Sequence, residues 1–193
     1  GADLLADRNI ALQLDLGQAG VDTNPLHISA AQAHTLIADG LTFVAHDNIV
    51  MNVDAGTTHL SNSLKDLEKL RVDAVALESG ASLTLQLGDT DLHSAITGAL
   101  GDAGNAQLMT GFTGGGQVAL EMDADRFTAN LDNLGSGDAA ILQARGITDI
   151  NLTVADLDTL VDDAGNAVGA YNQVATGADL LADRNIALQL DLG

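Results

Sequence analysis

The chain has 193 residues, with 27 acidic side chains against 7 Lys and Arg and a formal charge of −20. That balance excludes a binder of nucleic-acid backbones, which needs a basic face, and excludes docking on an anionic membrane surface. Apolar residues make up 46% but aromatics only 2%, so the chain is no disordered acidic tail and must build its core from Leu, Ile, Val and Ala.

There is no cysteine, which removes disulfides, thiolate metal sites and cysteine nucleophiles. Apolar runs are only a few residues long, far short of the ~20 that span a bilayer, so no membrane insertion is expected. The chain opens on Gly1 without a basic-plus-apolar leader and reads as an internal piece of something longer. Among the acids only Glu68, Glu78 and Glu121 are glutamate; the other 24 are aspartate. Aspartate favours turns and helix N-caps and is a hard oxygen ligand, so this bias points to many turns and to calcium as a candidate cofactor.

The first element in chain order alternates Ile10, Leu12 and Leu14 against Ala11, Gln13 and Asp15, the period of a strand with one buried face. Ile28 to Ala38 follows as a helix, with Ser29 as its cap and Gly40 as its stop. A second alternating segment sets Ile49, Met51 and Val53 against Val50, Asn52 and Asp54. Thr57 to Leu70 carries Leu60, Leu64, Leu67 and Leu70 at helical spacing, with Thr58 or Ser61 to cap it and Lys65, Lys69 and Arg71 near its end.

The third alternating segment runs through Leu83, Leu85 and Leu87, the fourth through Val118, Leu120 and Met122, and the fifth through Ile150, Leu152 and Val154. Between them lie helical faces: Leu92, Ile96 and Leu100; Phe127, Leu131 and Leu134; Leu157, Leu160 and Val161. Each of these breaks at a glycine pair (Gly101 and Gly104, Gly135 and Gly137, Gly165 and Gly169) and then resumes as a second short element. The pentapeptide DAGNA occurs at 102–106 and again at 163–167.

The strongest signal is a self-match. Residues 1–17 and 177–193 both read GADLLADRNIALQLDLG, identical at all 17 positions with a shift of 176. The expectation is a parent protein with tandem periods of 176 residues. The first apolar residues of successive strands are 39, 34, 35, 32 and 36 residues apart, which together make one period. The chain therefore divides into units of about 35 residues, at about 1–17, 18–56, 57–90, 91–123, 124–155 and 156–193, within one continuous segment.

A strand with one apolar face needs neighbours, and a helical return permits parallel stacking. The expected fold is an open right-handed α/β solenoid, its five strand segments side by side in sequence order. A closed barrel has no place for another copy of its first strand. A doubly wound sheet, covered on both faces, would show continuous apolar strands rather than alternating ones. The wet face carries Gln13, Asn52, Gln86, Glu121 and Asn151, either simply solvated or with its amides stacked as a ladder.

The stretches ISAAQAHTLIADGLTFVAHDNIVMNVD (28–54) and LKDLEKLRVDAVALESGASLTLQL (64–87) resemble the tandem repeats of very large secreted and cell-surface proteins of proteobacteria. The resemblance rests on a short Ala-rich helix ending in Leu and Gly, followed by an Asp-containing β segment. It implies an extracellular or cell-surface location and a role as adhesin, biofilm matrix fibre or sheath. The glycine-rich calcium nonapeptide of some such proteins is missing, because Gly114, Gly115 and Gly116 run into Gln117 without a following Asp.

No phosphate-binding loop, zinc helix, nucleophile elbow or EF-hand loop occurs. His27, His34, His46, His59 and His93 are scattered, so no enzyme is expected. One chemical feature recurs. Asp15 and Asp54 close the first two strands, and Asp89 and Asp91, Asp123 and Asp125, and Asp156 and Asp158 follow the next three. In register these carboxylates form a column that calcium could bridge. Taken singly, Asp91, Asp125 and Asp156 each precede a helix and serve equally as caps. The function these features point to is a structural repeat of a bacterial filament or adhesin stalk, partnered head to tail by further copies of itself. The alternative is a carbohydrate- or protein-binding module on a bacterial surface protein.

Overall fold

The computed structural model describes residues 12–15, 25–45, 47–60, 64–100, 111–155 and 157–191. Among the described residues the strands form three separate sheets, parallel throughout, and none closes into a barrel. One sheet holds β2 (Leu26–Ser29), β4 (Ile49–Val53), β6 (Ala74–Leu77) and β8 (Gly111–Gly114) in that order. A second holds β5 (Gly56–Leu60), β7 (Ala81–Gln86), β9 (Gln117–Asp123), β10 (Asp149–Thr153) and β11 (Ala187–Asp191). The third is the pair β1 (Leu12–Leu14) and β3 (Leu41–Phe43).

In every sheet the strands stand in chain order, but the five alternating segments do not form one row. The third, fourth, fifth and recurring first segments become β7, β9, β10 and β11 and do lie side by side. The second becomes β4, in the other sheet, and its place beside β7 is taken by β5. The described part of the first segment pairs with β3.

Strand β5 is also why the expected helix from Thr57 starts late. Gly56–Leu60 lies in register against Ala81–Leu85, and Leu60 joins the sheet core instead of a helix face. Thr57 and Thr58 are β-branched, which favours this extended backbone. Helix α2 (Leu64–Leu70) then buries Leu64, Leu67 and Leu70 as the spacing requires. Ser61 lies outside the described residues.

The other helices follow the reading more closely. Helix α1 (Ala30–Ala38) begins at Ser29, whose hydroxyl accepts from the Gln32 amide while the Gln32 side chain accepts from the Ser29 amide. Ile28 belongs to β2, and Gly40 leaves the helix at φ +67°. Helix α3 (Leu92–Ala95) continues as a wider π turn (Ile96–Leu100), and Leu92, Ile96 and Leu100 are buried. Helix α4 (Ala124–Ala129) buries Phe127, and α5 (Ser136–Ala144) and α6 (Tyr171–Ala182) are the resumptions after glycine. Residues 157–159 form only a single 3₁₀ turn, with Leu157 42% exposed rather than facing the core.

The core is a set of rows crossing the strands. Leu60, Leu85, Leu120, Ile150 and Leu188 face one another in register across the five-stranded sheet. Ile28, Met51, Val75 and Phe112 do so across the four-stranded one. Leu85, Leu120, Ile150, Met51 and Val75 are wholly buried. The two sheets meet at short corners, where β4 passes to β5, β6 to β7 and β8 to β9. Gly56, Gly80 and Gly114 lie at these corners with φ of +121°, +83° and +105°. The triglycine 114–116 is thus a corner. A Cβ on Gly114 would run into the Leu77 carbonyl oxygen of the preceding corner, and one on Gly116 into Ala81 and Leu77.

Replacing Gly114 by Ala should cost at least ~1–3 kcal/mol, through strained backbone and the clash with Leu77. Gly137, inside α5 with open space around it, should gain about 0.5–1 kcal/mol on the same change. Paired denaturation curves check this, and equal effects at the two positions would show that the corner does not constrain the chain.

Candidate functional site

Two polar regions offer chemistry. The first lies after the C-terminal ends of β7 and β9, where the acids of the expected column stand. Asp91 caps α3: its carboxylate accepts from the Ser94 amide at 2.9 Å and from the Ser94 hydroxyl at 2.7 Å. Asp123 caps α4, accepting from the amides of Asp125 and Arg126 at 3.0 and 3.2 Å. The cap of this helix is therefore Asp123 and not Asp125, which sits in the first turn where an acid suits the helix dipole.

Asp89 is fully exposed and meets the Arg126 guanidinium at 3.1 Å, and Arg126 also donates to the Gly88 carbonyl at 3.0 Å. One arginine thus ties the end of β7 to the first turn after β9. Asp54 follows β4 and Asp15 follows β1, so both belong to other sheets. Asp158 lies in the turn at 157–159, and Asp156 lies outside the described residues.

Calcium takes six to eight oxygens. Both Asp91 oxygens are occupied by Ser94, one Asp123 oxygen takes two amides, and Asp89 faces Arg126. Among the described residues no group of three or more His, Asp or Glu side chains converges. The described acids near β7 and β9 are arranged as caps and a cross-strand ion pair.

The second region is the outer face of the five-stranded sheet. Gln86, Glu121, Asn151 and Gln189 lie in register on neighbouring strands. The Gln86 side chain donates to Glu121 at 3.0 Å, His59 approaches Glu121 at 3.4 Å, and Gln189 donates to Asp149 at 2.7 Å. The row is mixed amide and carboxylate, not a pure amide ladder. Asn52 lies in the other sheet and meets His27 at 3.1 Å. A shallow cleft beside this row is lined by Gln86, Gly88, Glu121, Asp123 and Thr153.

Sequence reasoning missed the acids at the start of β4. Asp47 is 5% exposed. Asp73 accepts from the Ile49 amide at 2.8 Å while its own amide donates to the Ile49 carbonyl at 2.9 Å, clamping β4 beside the turn before β6. Burial raises the Asp73 carboxyl above its ordinary value, the Ile49 amide pulls it back, and the charge of Asp47 adds to the rise. The available sequence signal was the polar stretch His46–Asp47–Asn48 directly before an apolar strand, although His46 itself lies outside the described residues.

Compared with known proteins, the chain matches no family, no characterised protein and no solved structure.

Two titrations follow. Hydrogen bonds from the Ser94 amide and then the Ser94 hydroxyl hold the Asp91 carboxyl low. Its stabilising effect is therefore complete above the unfolded value and is lost as pH falls through the folded one. Asp91→Ala should cost about 1 kcal/mol near neutrality, and the deficit should vanish in acid. Asp73 has the opposite sign. A raised carboxyl favours the protonated native state, so ionised Asp73 costs stability at neutral pH and that cost disappears as pH falls through the raised value. Asp73→Asn should melt higher than the native chain at neutrality, with the gap closing in acid. A gap that is constant with pH would show that Asp73 is not the titrating group.

Proposed function

We propose that this chain is one period of a tandem structural array, a non-catalytic segment of a long bacterial stalk or filament outside the cell. The observation that carries this reading is the identity of residues 1–17 with 177–193. Sheets built strictly in chain order support it, because such sheets extend by adding the next strand and need no long-range closure. In an array the separate sheets would continue through neighbouring periods as one open solenoid. The excess of acid keeps such a fibre soluble and self-repelling laterally, so copies add end to end. The extracellular location rests on the resemblance of 28–54 and 64–87 to secreted repeats.

A binding module is the weaker reading. Binding faces are rich in exposed aromatics. Here Phe43, Phe112 and Phe127 are buried, Tyr171, 42% exposed, begins α6, and the polar row of Gln86, Glu121, Asn151 and Gln189 holds no aromatic.

Chains of one, two and three periods, imaged by negative stain, test the array. Each added period should lengthen a rod of constant width by roughly 24 Å, five coil rises of about 4.8 Å. Beads on flexible linkers, or globules whose length does not grow in proportion, would overturn it.

A further inference from the structure

Part of the duplicated segment, residues 12–15 and their counterparts 188–191, is described in both copies, in two different settings. As β11 it is the last strand of its sheet and pairs with β10: Ile150 with Leu188, Asn151 with Gln189, Leu152 with Leu190. As β1 it pairs with β3: Leu12 with Leu41, Gln13 with Thr42, Leu14 with Phe43. With the shift of 176, Leu12, Gln13 and Leu14 are the counterparts of Leu188, Gln189 and Leu190. One sequence is seen with the neighbour that precedes it and with the neighbour that follows it.

The backbone groups used in the two settings do not overlap. In a strand, the N–H and C=O of alternate residues point to opposite sides. Toward β10, the Ala187 amide donates to the Thr148 carbonyl, and the Asp191 carbonyl accepts from the Val154 amide. Residues 187, 189 and 191 thus face β10, and Leu188 and Leu190 face the sheet's outer edge. In the other copy, the Leu14 carbonyl accepts from the Val44 amide, on the side of β3. Leu14 is the counterpart of Leu190. The groups that β11 turns outward are the groups that β1 uses to hold β3, so one strand can hold both neighbours at once.

Side chains agree. Leu190 is 46% exposed. Leu14 is half-buried and shares an apolar hollow with Leu26, Ile28, Leu36 and Phe43. Five-residue β11 carries no Lys or Pro of the kind that blunts an edge against further pairing.

We propose that the outer edge of β11 is a docking site for β3 of a second copy of this chain. Leu188, Gln189 and Leu190 pair there with Leu41, Thr42 and Phe43, and β11 displaces the second copy's own β1. The inference rests on the tandem reading, since in a continuous array the same junction forms within one chain. Between separate copies it becomes strand exchange between two identical segments. The contact is heterologous and does not close on itself, so it propagates.

The full chain has no cysteine, so introduced thiols are unambiguous. Gln189→Cys in one chain and Thr42→Cys in another should cross-link on mild oxidation, because directly opposed residues on neighbouring strands are ~4.8 Å apart, within disulfide reach. The link should form well above the level that Gln189→Cys gives with Asn133→Cys, which is exposed in the turn after α4. Adding Leu14→Pro to the Thr42→Cys chain weakens that chain's own β1 and should raise the yield several-fold. Adding Leu190→Pro to the Gln189→Cys chain should abolish it, although both substitutions fall in the same sequence.

Gln13→Cys with Thr42→Cys in a single chain checks the β1–β3 pairing by itself. If that link forms while the intermolecular yield stays at the Asn133→Cys level with and without Leu14→Pro, strand exchange is overturned and the array reading stands. If the intramolecular link fails too, the pairing under both is wrong. Globules from the multi-period chains, with the intermolecular link intact, would overturn the array alone.

Discussion

A parallel pair of strands has no hairpin route between its members. For every rung the chain must leave the sheet and come back to the same end. In this molecule that requirement sets everything else. Each return includes a helix, because a helix covers the distance with its own backbone satisfied and its apolar stripe free to pack. The rows of Leu, Ile, Val and Met across the strands depend on those returns arriving in register. A slip of one residue in β9 would turn Val118, Leu120 and Met122 to water and bring Glu121 into the core. Register is therefore held by the same side chains that supply the burial, and a core with only four aromatics in the chain is sufficient because aliphatic rows repeat at every rung.

The corners show how tightly this is specified. The chain passes from one sheet to the next within a few residues at the ends of β4, β6 and β8. A glycine at positive φ allows each reversal. At Gly114 there is a second reason: the backbone of the previous corner lies directly against it at Leu77. Successive corners are in contact, so the stacking that joins strands also joins turns.

This explains what was legible in the sequence and what was not. Long alternating segments such as Leu83–Leu87 and Ile150–Val154 were readable because both faces of the strand differ. Helix α2 was readable over Leu64, Leu67 and Leu70. Strand β5 was hidden, because Leu60 also fits the helical spacing of the leucines after it, and only pairing with β7 decides between the two. Strands β6 and β8 are four residues each and lie in buried or glycine-rich contexts where alternation cannot develop. Of the acids, the capping role of Asp91 was visible locally. The tie from Asp89 to Arg126 was not, since 37 residues separate partners that neighbouring strands bring together. The Asp47 and Asp73 environment is likewise made only by folding.

Identity over 17 residues asks more of a segment than packing does. A terminal strand needs one good edge and one good face, and aliphatic substitution at most positions would serve. A strand between two different neighbours must match β10 on one side and β3 on the other, with alternate backbone groups assigned to each. Its apolar side chains must meet Ile150 and Leu152 on one flank and Leu41 and Phe43 on the other. Of its outward residues, Gln189 is bound to Asp149 in one copy, and Gln13 stands opposite Thr42 in the other. On the proposed array reading, a segment that closes one period and opens the next is constrained from both directions at once.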